Sequence, residues 1–210
     1  STGGVSVGDH DWIKQVLAGL GGEMRLWRIR MRPGAPLAFA TVGGRPIFAL
    51  PGNPVSTLVT FEQFVRPGLL RMMGHRRVYR PVEPAVLDES YEKPAGRAHF
   101  VRVVLERRAD GLHARPTGEQ ASNILLSMVR ADALAFVAED LTHLAAGSRL
   151  PVQLLHSDDL REEPGMPPGA PLGQRPVAPV ESSGFARSSP SGRAADQPMS
   201  EVMQWASLPS

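Results

Sequence analysis

The 210-residue chain has 23 basic and 21 acidic side chains, and its net charge of +2 argues against a nucleic-acid partner. It has no cysteine, which excludes disulfides, thiolate-bound zinc and a thiol nucleophile, and which favours a reducing, cytoplasmic location. No apolar run reaches the roughly 18 residues that a membrane helix needs, so no membrane association is expected.

The first 75 residues are predicted to form part of an α/β domain with some parallel strands. Apolar residues at helical spacing in 12–20 predict an amphipathic helix that ends at Gly21-Gly22, and Trp12 and Trp27 are predicted core anchors. Three strand-like runs follow, at 25–31, 36–42 and 46–50.

The segment PIFALPGNPVSTLVTF, residues 46–61, joins a strand of the buried type directly to a helix. Asn53 is a good N-cap, and Pro54 suits the first helical position, where its missing N–H costs nothing. The helical spacing continues to Gly74, with an interruption predicted at Pro67. We call the turn between this strand and this helix the elbow.

Residues 76–156 are predicted to form a small all-β domain, a barrel or a sandwich. Two strand-like runs are joined by Asp110-Gly111, which is a strong hairpin signal, and two more strands are expected further on, in 133–140 and 148–155. Residues 157–210 are rich in proline, glycine, serine and alanine, which predicts a disordered tail.

Two glycine-rich bends are expected to form an anion site. The elbow exposes free backbone N–H groups at a helix start, and Gly3, Gly4 and Gly8 let a ligand approach the main chain of the first loop. Bends of this kind gather at one edge of an open α/β sheet. We therefore expect the two bends to converge on one pocket that can cradle a polyphosphate.

Charged residues accompany these bends. Asp9 and Asp11 are interpreted either as helix N-caps or as ligands of a metal or phosphate site. The alternation of Arg28, Arg30 and Arg32 predicts that all three lie on one face of a strand, beside the anion loops. The six histidines have no metal-ligand spacing and are expected at the surface or in the hairpin.

Three motifs carry a resemblance to a known family: TGGVSVGDHD at 2–11, MRPGAPLAF at 31–39 and LPGNPVSTLVTFEQFVRP at 50–67. In this order and spacing they resemble the C-terminal half of the molybdopterin molybdotransferases, which include the bacterial MoeA proteins and the gephyrin E domain. The likeness extends through GRAHFVRV and TGEQASNILLSMVRADALAFV, so it covers residues 1–156. It implies part of a MogA-like, three-layer molybdopterin-binding domain, followed by a C-terminal β-barrel.

The resemblance also implies an activity. Molybdate is inserted into the dithiolene of adenylylated molybdopterin, with magnesium-dependent hydrolysis of the adenylate. Asp11 is expected to position Mg²⁺, and Arg32, which replaces the first lysine of a Lys-Pro-Gly-Lys turn, is expected to act on molybdate. The other expected substrate-binding residues are the two bends and the matching polar positions: Gly3, Gly4, Ser6, Gly8, Asp9, Arg28, Pro51, Gly52, Asn53, Pro54, Ser56, Arg97 and Ser122.

The chain departs from the family pattern in three ways. The second lysine of the turn is Ala35, and the usual Gln-Gly-Ser is Gln-Ala-Ser at residues 120–122. Loss of an ammonium group weakens oxyanion capture unless a neighbouring arginine compensates. The family's N-terminal regions have no counterpart before Ser1, so we expect a truncated or split protein whose residues 1–75 need a complementing partner. The full-length family is expected to form homodimers.

Two other functions are left open. The first is a non-catalytic binding or scaffold module, because gephyrin-like relatives grip partner peptides with this region. The second is a role like that of the CinA-like proteins, which share the pterin-binding domain type. The PGNPVS elbow with an appended barrel favours the transferase. Binding of molybdate or an adenylylated pterin, weakened by Ser56→Ala or Asp11→Ala, would separate the transferase from a peptide scaffold.

Overall fold

The computed structural model describes residues 1–5 and 12–157. The predicted tail therefore lies outside the described residues, apart from Ser157. The described part of the first 75 residues contains three helices, four strands and one π-helical turn. In chain order these are α1 (Ile13–Gly19), β1 (Glu23–Trp27), β2 (Met31–Arg32), β3 (Ala38–Val42), β4 (Arg45–Ala49), α2 (Pro54–Thr60), the π-turn Phe61–Val65 and α3 (Arg66–Met72).

The strands β1, β3 and β4 form an antiparallel sheet in the order β1-β3-β4. Gly43 and Gly44 make the tight turn between β3 and β4, and both have positive φ angles, which favour glycine. An isolated parallel bridge between Thr2 and Leu50 brings the first residues of the chain to the end of β4.

The predicted strand at 25–31 is broken. Arg28 has a φ of 61°, in the left-handed region, so β1 ends before it. Strand β2 begins three residues after Arg28, lies outside this sheet and pairs in parallel with the barrel strand that begins at Ala98. The prediction that Arg28, Arg30 and Arg32 share one strand face is therefore wrong, because alternation holds only along an unbroken strand.

The predicted burial of α1 is also wrong in part. Leu17 is buried, but Trp12 is 58% exposed and Val16 and Leu20 are similarly exposed. Trp12 is therefore not a core anchor in the structure. The predicted helix end is confirmed, because the amides of Gly21 and Gly22 donate to carbonyls of the last helical turn.

The helix after the elbow runs from Pro54 to Met72, and the interruption predicted at Pro67 takes the form of the π-turn just before it. Proline lacks an N–H and its ring crowds the carbonyl four residues earlier. The wider π-turn accommodates both effects without ending the helix. The helix closes at Gly74, as predicted, with a positive φ.

The rest of the described chain forms the predicted barrel. Its elements are β5 (Val82–Leu87), β6 (Tyr91–Glu92), β7 (Ala98–Arg108), β8 (Gly111–Pro116), α4 (Leu125–Val129), β9 (Ala133–Val137), β10 (His143–Leu144) and β11 (Arg149–Leu154). Five strands follow one another in the order β7-β8-β5-β11-β9, and β9 pairs back to β7, which closes the barrel. The β7–β8 hairpin turns at Asp110-Gly111, as predicted.

One hydrophobic core is shared between the α/β part and the barrel. Met31 from β2, together with Val55 and Val59 from α2, packs in the same cluster as Phe100 and Leu134 of the barrel. Each fully buried aliphatic side chain of this kind contributes roughly 1.5–3 kcal/mol. The shared core holds the elbow and the strand β2 firmly against the barrel.

In the part of the chain that the structure describes, no helix is both long and apolar enough to span a bilayer.

Candidate functional site

The two glycine-rich bends meet at the end of β4. The amide of Gly3 donates to the carbonyl of Leu50 over 2.9 Å, and the amide of Leu50 donates to the carbonyl of Ser1 over 2.8 Å. A Cβ atom at Gly52 would lie 3.5 Å from the Cα of Gly3. The expected convergence is therefore present for the described start of the first loop. The remaining predicted residues of that loop lie outside the described residues: Ser6, Gly8, Asp9 and Asp11.

The elbow has the predicted helix start. Asn53 is the N-cap, with φ −71° and ψ 123°, and Pro54 follows at the first helical position. The hydroxyl of Thr57 donates to the carbonyl of Pro51 and also lies 3.0 Å from the carbonyl of Asn53. Sequence reasoning missed Thr57, although its place four residues after a proposed N-cap suggests such a back-bond.

The side chain of Asn53 does not cap its helix. Its Nδ2 donates instead to Oγ of Ser122 over 2.9 Å, and the amide of Val55 donates to the carbonyl of Ser122 over 3.3 Å. Two residues that are 69 positions apart in sequence are thus joined directly. This contact links the elbow to the barrel loop that precedes α4.

The turn at residues 32–35 packs against the first turns of α2. Gly34 has a φ of 103°, and a Cβ atom there would lie 2.4 Å from Cγ2 of Thr60 and 3.4 Å from the carbonyl oxygen of Ser56. Only glycine satisfies both the backbone angle and this close approach. Ser56 itself is 5% exposed. We call residues 32–35 the arginine turn, and the fold brings this turn into contact with α2.

A cleft of about 290 Å³ opens between this turn and the barrel. Its lining includes Arg32, which is exposed, and the loop residues Gln120 and Ala121, which lie next to Ser122. Sequence reasoning missed three further lining residues: Tyr91, His99 and Arg102. His99 and Arg102 lie three residues apart on β7, and Arg32 joins them because β2 pairs with β7 at His99.

Arg102 is a buried cation. Its side chain is 1% exposed, with Nε donating to Oγ of Ser127 and Nη2 to the carbonyl of Ala121, each over 3.2 Å. Within the described part of the chain no carboxylate pairs with this guanidinium. Burial lowers the pKa of Arg102 to about 10, so it is still charged at neutral pH. A buried cation with neutral partners favours an anion in the adjoining cleft.

His99 is buried beside Arg102 and accepts or donates one hydrogen bond, at 2.9 Å between its Nδ1 and the hydroxyl of Tyr91. Burial and, after it, the neighbouring cations lower the pKa of His99 to about 4. The imidazole is therefore neutral at physiological pH. His99 lies in β7, the first strand of the predicted hairpin, and it is buried there and not at the surface.

Two predicted arginines do not line the cleft. Arg28 lies at the break after β1, where its amide donates to the carbonyl of Leu37. Arg97 is exposed just before β7, and its carbonyl accepts a hydrogen bond from Nζ of Lys93 over 2.9 Å. Its charge still reaches His99, because it is one of the cations that lower the pKa of that imidazole.

The described residues contain no group of three or more histidine and carboxylate side chains that could hold a metal ion. The carboxylates that the sequence proposes for Mg²⁺, Asp9 and Asp11, lie outside those residues. The Mg²⁺ site expected at Asp11 therefore stays a prediction.

Two family models match consecutive parts of the chain. Residues 1–71 match the probable molybdopterin binding domain, and residues 84–155 match the MoeA C-terminal region, domain IV. Over these two ranges the chain is similar to the MoeA family. The MoeA-family barrel corresponds to the closed five-stranded barrel described above, and the binding-domain match contains both glycine bends and the arginine turn.

Curated relatives agree with this assignment. A Mycobacterium tuberculosis protein named molybdopterin molybdenumtransferase 2 is 38% identical over 157 residues, which are 72% of this chain and 38% of that protein. A molybdopterin molybdenumtransferase of Haemophilus influenzae is 30% identical over 155 residues, 73% of this chain and 38% of that protein. The chain thus spans about two fifths of the length of the curated relatives it matches.

Solved structures of the MoeA family are similar as well. A molybdopterin biosynthesis MoeA protein from Pyrococcus horikoshii aligns with a TM-score of 0.57 and 30% identity, over 69% of this chain and 34% of that one. A molybdenum cofactor biosynthesis protein from Pyrococcus furiosus aligns with a TM-score of 0.53 and 27% identity, over 62% and 45% of the two chains. These likenesses support the pairing of an α/β part with a β-barrel in this order.

Proposed function

We propose that this chain acts in molybdenum cofactor biosynthesis as a molybdopterin molybdotransferase. In this proposal molybdate enters the cleft between Arg32 and Arg102, and adenylylated molybdopterin lies along the glycine bends. The observation that carries the proposal is the buried guanidinium of Arg102, which has neutral partners and faces the cleft beside Arg32. Arginine is well suited to a tetrahedral oxyanion because its donors are fixed in a planar fork.

The arginines also offset a missing charge. Ala35 stands where the family has a second lysine, and it is buried, with its carbonyl accepting from the amide of Ile29. It supplies no cation to the cleft. We infer that Arg102 supplies the second positive charge next to Arg32, which is the compensation that the substitution requires.

The glycine bends suit a phosphorylated pterin. Gly3 and Gly52 approach each other closely and carry no side chain, so a ligand phosphate can reach the main chain there. The link from Asn53 to Ser122 places these bends next to the loop that lines the cleft. Pterin and molybdate would thus be held side by side.

A magnesium requirement is part of the proposal. Asp11 would hold the ion, with Asp9 beside it, because oxygen ligands from carboxylates suit Mg²⁺. When bound, the ion would neutralise charge on the phosphate groups. We expect Asp11→Asn to remove the stimulation of AMP release by Mg²⁺ without changing molybdate binding in the absence of the pterin.

Molybdate binding to the purified chain tests the proposal. Isothermal titration calorimetry should detect binding of molybdate, weakened about tenfold or more in Arg32→Ala, because charge-assisted hydrogen bonds are worth about 1.5–3 kcal/mol. Arg115→Ala is the matched control, since this arginine is exposed on β8 away from the cleft. Equal molybdate affinity in both variants, or no binding by the unaltered chain, would show the proposed function to be wrong.

A further inference from the structure

Tyr91 and His99 form a polar pair in the wall of the cleft. Tyr91 is on the short strand β6 and His99 is the second residue of β7, where it pairs with Arg32 of β2 on one side and Val137 of β9 on the other. Both side chains line the cleft, and their rings meet edge to face, with centroids 6.1 Å apart. His99 lies within the GRAHFVRV stretch and Tyr91 lies outside the family motifs, and neither is among the binding residues predicted from the sequence.

The hydrogen bond between the two rings defines the tautomer of the histidine. The hydroxyl of Tyr91 lies 2.9 Å from Nδ1 of His99. Burial raises the pKa of Tyr91, so its phenol keeps the proton, and a phenol is a better donor than acceptor toward a neutral imidazole nitrogen. Tyr91 therefore donates to Nδ1, and the imidazole proton is on Nε2.

The second ring nitrogen is available to a ligand. No other group of residues 1–5 and 12–157 hydrogen-bonds the ring of His99, and Nε2 is not closed off from the cleft. The charged groups around the ring are four cations, with two carboxylates in the cleft wall: Arg32, Lys93, Arg97, Arg102, Glu92 and Glu119. A net positive surrounding disfavours an imidazolium and favours an anionic ligand.

We propose that neutral His99, with its tautomer set by Tyr91, donates a hydrogen bond from Nε2 to the oxyanion that Arg32 and Arg102 attract. His99 is then a substrate-contacting residue that supplies direction, while the arginines supply charge. This inference deepens the proposed function and rests on it for the identity of the oxyanion as molybdate. A core histidine would satisfy both nitrogens within the protein, whereas Nε2 of His99 has no partner among the described residues and His99 lines the cleft.

Nitrogen-15 NMR of the full 210-residue chain tests the tautomer and the contact together. Before ligand is added, we expect the His99 signals of a neutral ring protonated at Nε2. Titration with molybdate, and separately with sulfate, should shift Nε2 and its proton. In Tyr91→Phe we expect a mixture of tautomers and an oxyanion affinity lowered several-fold, roughly the loss of one hydrogen bond.

Substitutions of the histidine separate a donor from a packing residue. His99→Gln retains an N–H donor and should stay within about threefold of the unaltered affinity, whereas His99→Leu should lose about tenfold. His75→Gln, at an exposed histidine in the loop after α3, is the matched control and should change nothing. Tyr91→Phe keeps the ring packing, so it remains informative if His99→Leu fails to fold.

The failures are distinguishable. A ring protonated at Nδ1, or a His99→Leu variant that folds and binds oxyanions as well as the unaltered chain, would overturn the inference. The inference would also be overturned if neither molybdate nor sulfate changed the nitrogen-15 chemical shift of His99 Nε2. If molybdate and sulfate both shift Nε2 but molybdate is not preferred and no AMP is released from adenylylated molybdopterin, the donor role of His99 is supported and the proposed function is wrong.

Discussion

Asn53 and Ser122 join the α/β part of the chain to the barrel, with Nδ2 of the asparagine donating to Oγ of the serine over 2.9 Å. The neighbouring amide of Val55 donates to the carbonyl of the same serine. The elbow and the barrel loop are therefore fixed to each other by both a side-chain and a main-chain contact. This arrangement keeps the glycine bends next to the arginine-lined cleft.

A double-mutant cycle with Asn53→Ala and Ser122→Ala should detect this bond. Because both side chains are partly exposed, we expect a coupling of about 1 kcal/mol or less in the free energy of urea unfolding. We also expect non-additive losses in molybdate affinity, since either change releases the loop. Strictly additive effects in both measurements would contradict a direct coupling between the two residues.

Gly34→Ala should lower the free energy of unfolding by more than the strain of its positive φ angle alone would. The new methyl would lie 2.4 Å from Cγ2 of Thr60, in addition to adopting an unfavourable φ of 103°. Gly118→Ala is the matched control, because Gly118 has a φ of 99° and open space around its Cα. We expect about 1–2 kcal/mol for the control and a further 1–3 kcal/mol for Gly34→Ala, measured by urea unfolding. Equal losses would mean that the turn moves away from α2 at little cost.

The parts of the fold that the sequence predicts well depend on local chemistry. The hairpin at Asp110-Gly111 and the start of α2 at Asn53-Pro54 each follow from the backbone preferences of two neighbouring residues. The contact between the two glycine bends was also expected, because bends of this kind gather at one edge of an α/β sheet. Local signals of this kind need no knowledge of distant contacts.

The parts that sequence reasoning missed depend on contacts between distant segments. The apolar spacing of α1 predicts a helix correctly, but it does not show that Trp12 stays exposed. The sequence of residues 25–31 predicts one strand, but the positive φ of Arg28 ends β1, and β2 then pairs with the barrel strand β7. Arg32 reaches the cleft beside His99 and Arg102 because β2 pairs with β7, which is a contact between segments far apart in sequence. None of these outcomes follows from a window of neighbouring residues.

Lys93 is predicted to stabilise the rim of the cleft. Its side chain is 6% exposed, and Nζ donates to the carbonyls of Arg97 over 2.9 Å, Glu139 over 3.2 Å and Pro94 over 3.4 Å. Lys93→Met retains the aliphatic stem but leaves these acceptors without an ammonium donor. We expect a loss of about 1–3 kcal/mol in the free energy of unfolding.

Arg115→Met is the control for Lys93→Met, because it also removes one positive charge from the barrel but at an exposed position. It should change the free energy of unfolding by less than about 0.5 kcal/mol. Amide hydrogen exchange would locate the effect, which should be greatest in residues 94–97. A Lys93→Met variant as stable as the control would show that the three carbonyls are satisfied without the lysine.

His113 is predicted to make the stability of the barrel depend on pH. Its Nδ1 lies 2.7 Å from Oδ1 of Asp88 and its Nε2 lies 3.0 Å from Oδ1 of Asp110, so both nitrogens face carboxylates. The hydrogen bond to Asp88 is the largest cause that raises the pKa of His113, and the opposing effects are burial and the charge of Arg108. The protonated ring is therefore favoured in the folded state.

The sign of the effect follows from linkage. Because the folded pKa of His113 is higher than the unfolded value of 6.5, the stabilisation is fully present below that value and is lost as pH rises through the folded pKa. Urea unfolding of the unaltered chain should therefore show decreasing stability across this window, whereas His113→Gln should show a flatter profile. Asp88→Asn should lower the NMR-measured pKa of His113.

The titration of His99 affects stability in a different pH range. Its folded pKa of about 4 makes the free energy of unfolding rise with pH below pH 6.5, whereas the effect of His113 is a fall above that pH. Identical profiles for the unaltered chain and His113→Gln would show that the two carboxylates do not hold the proton.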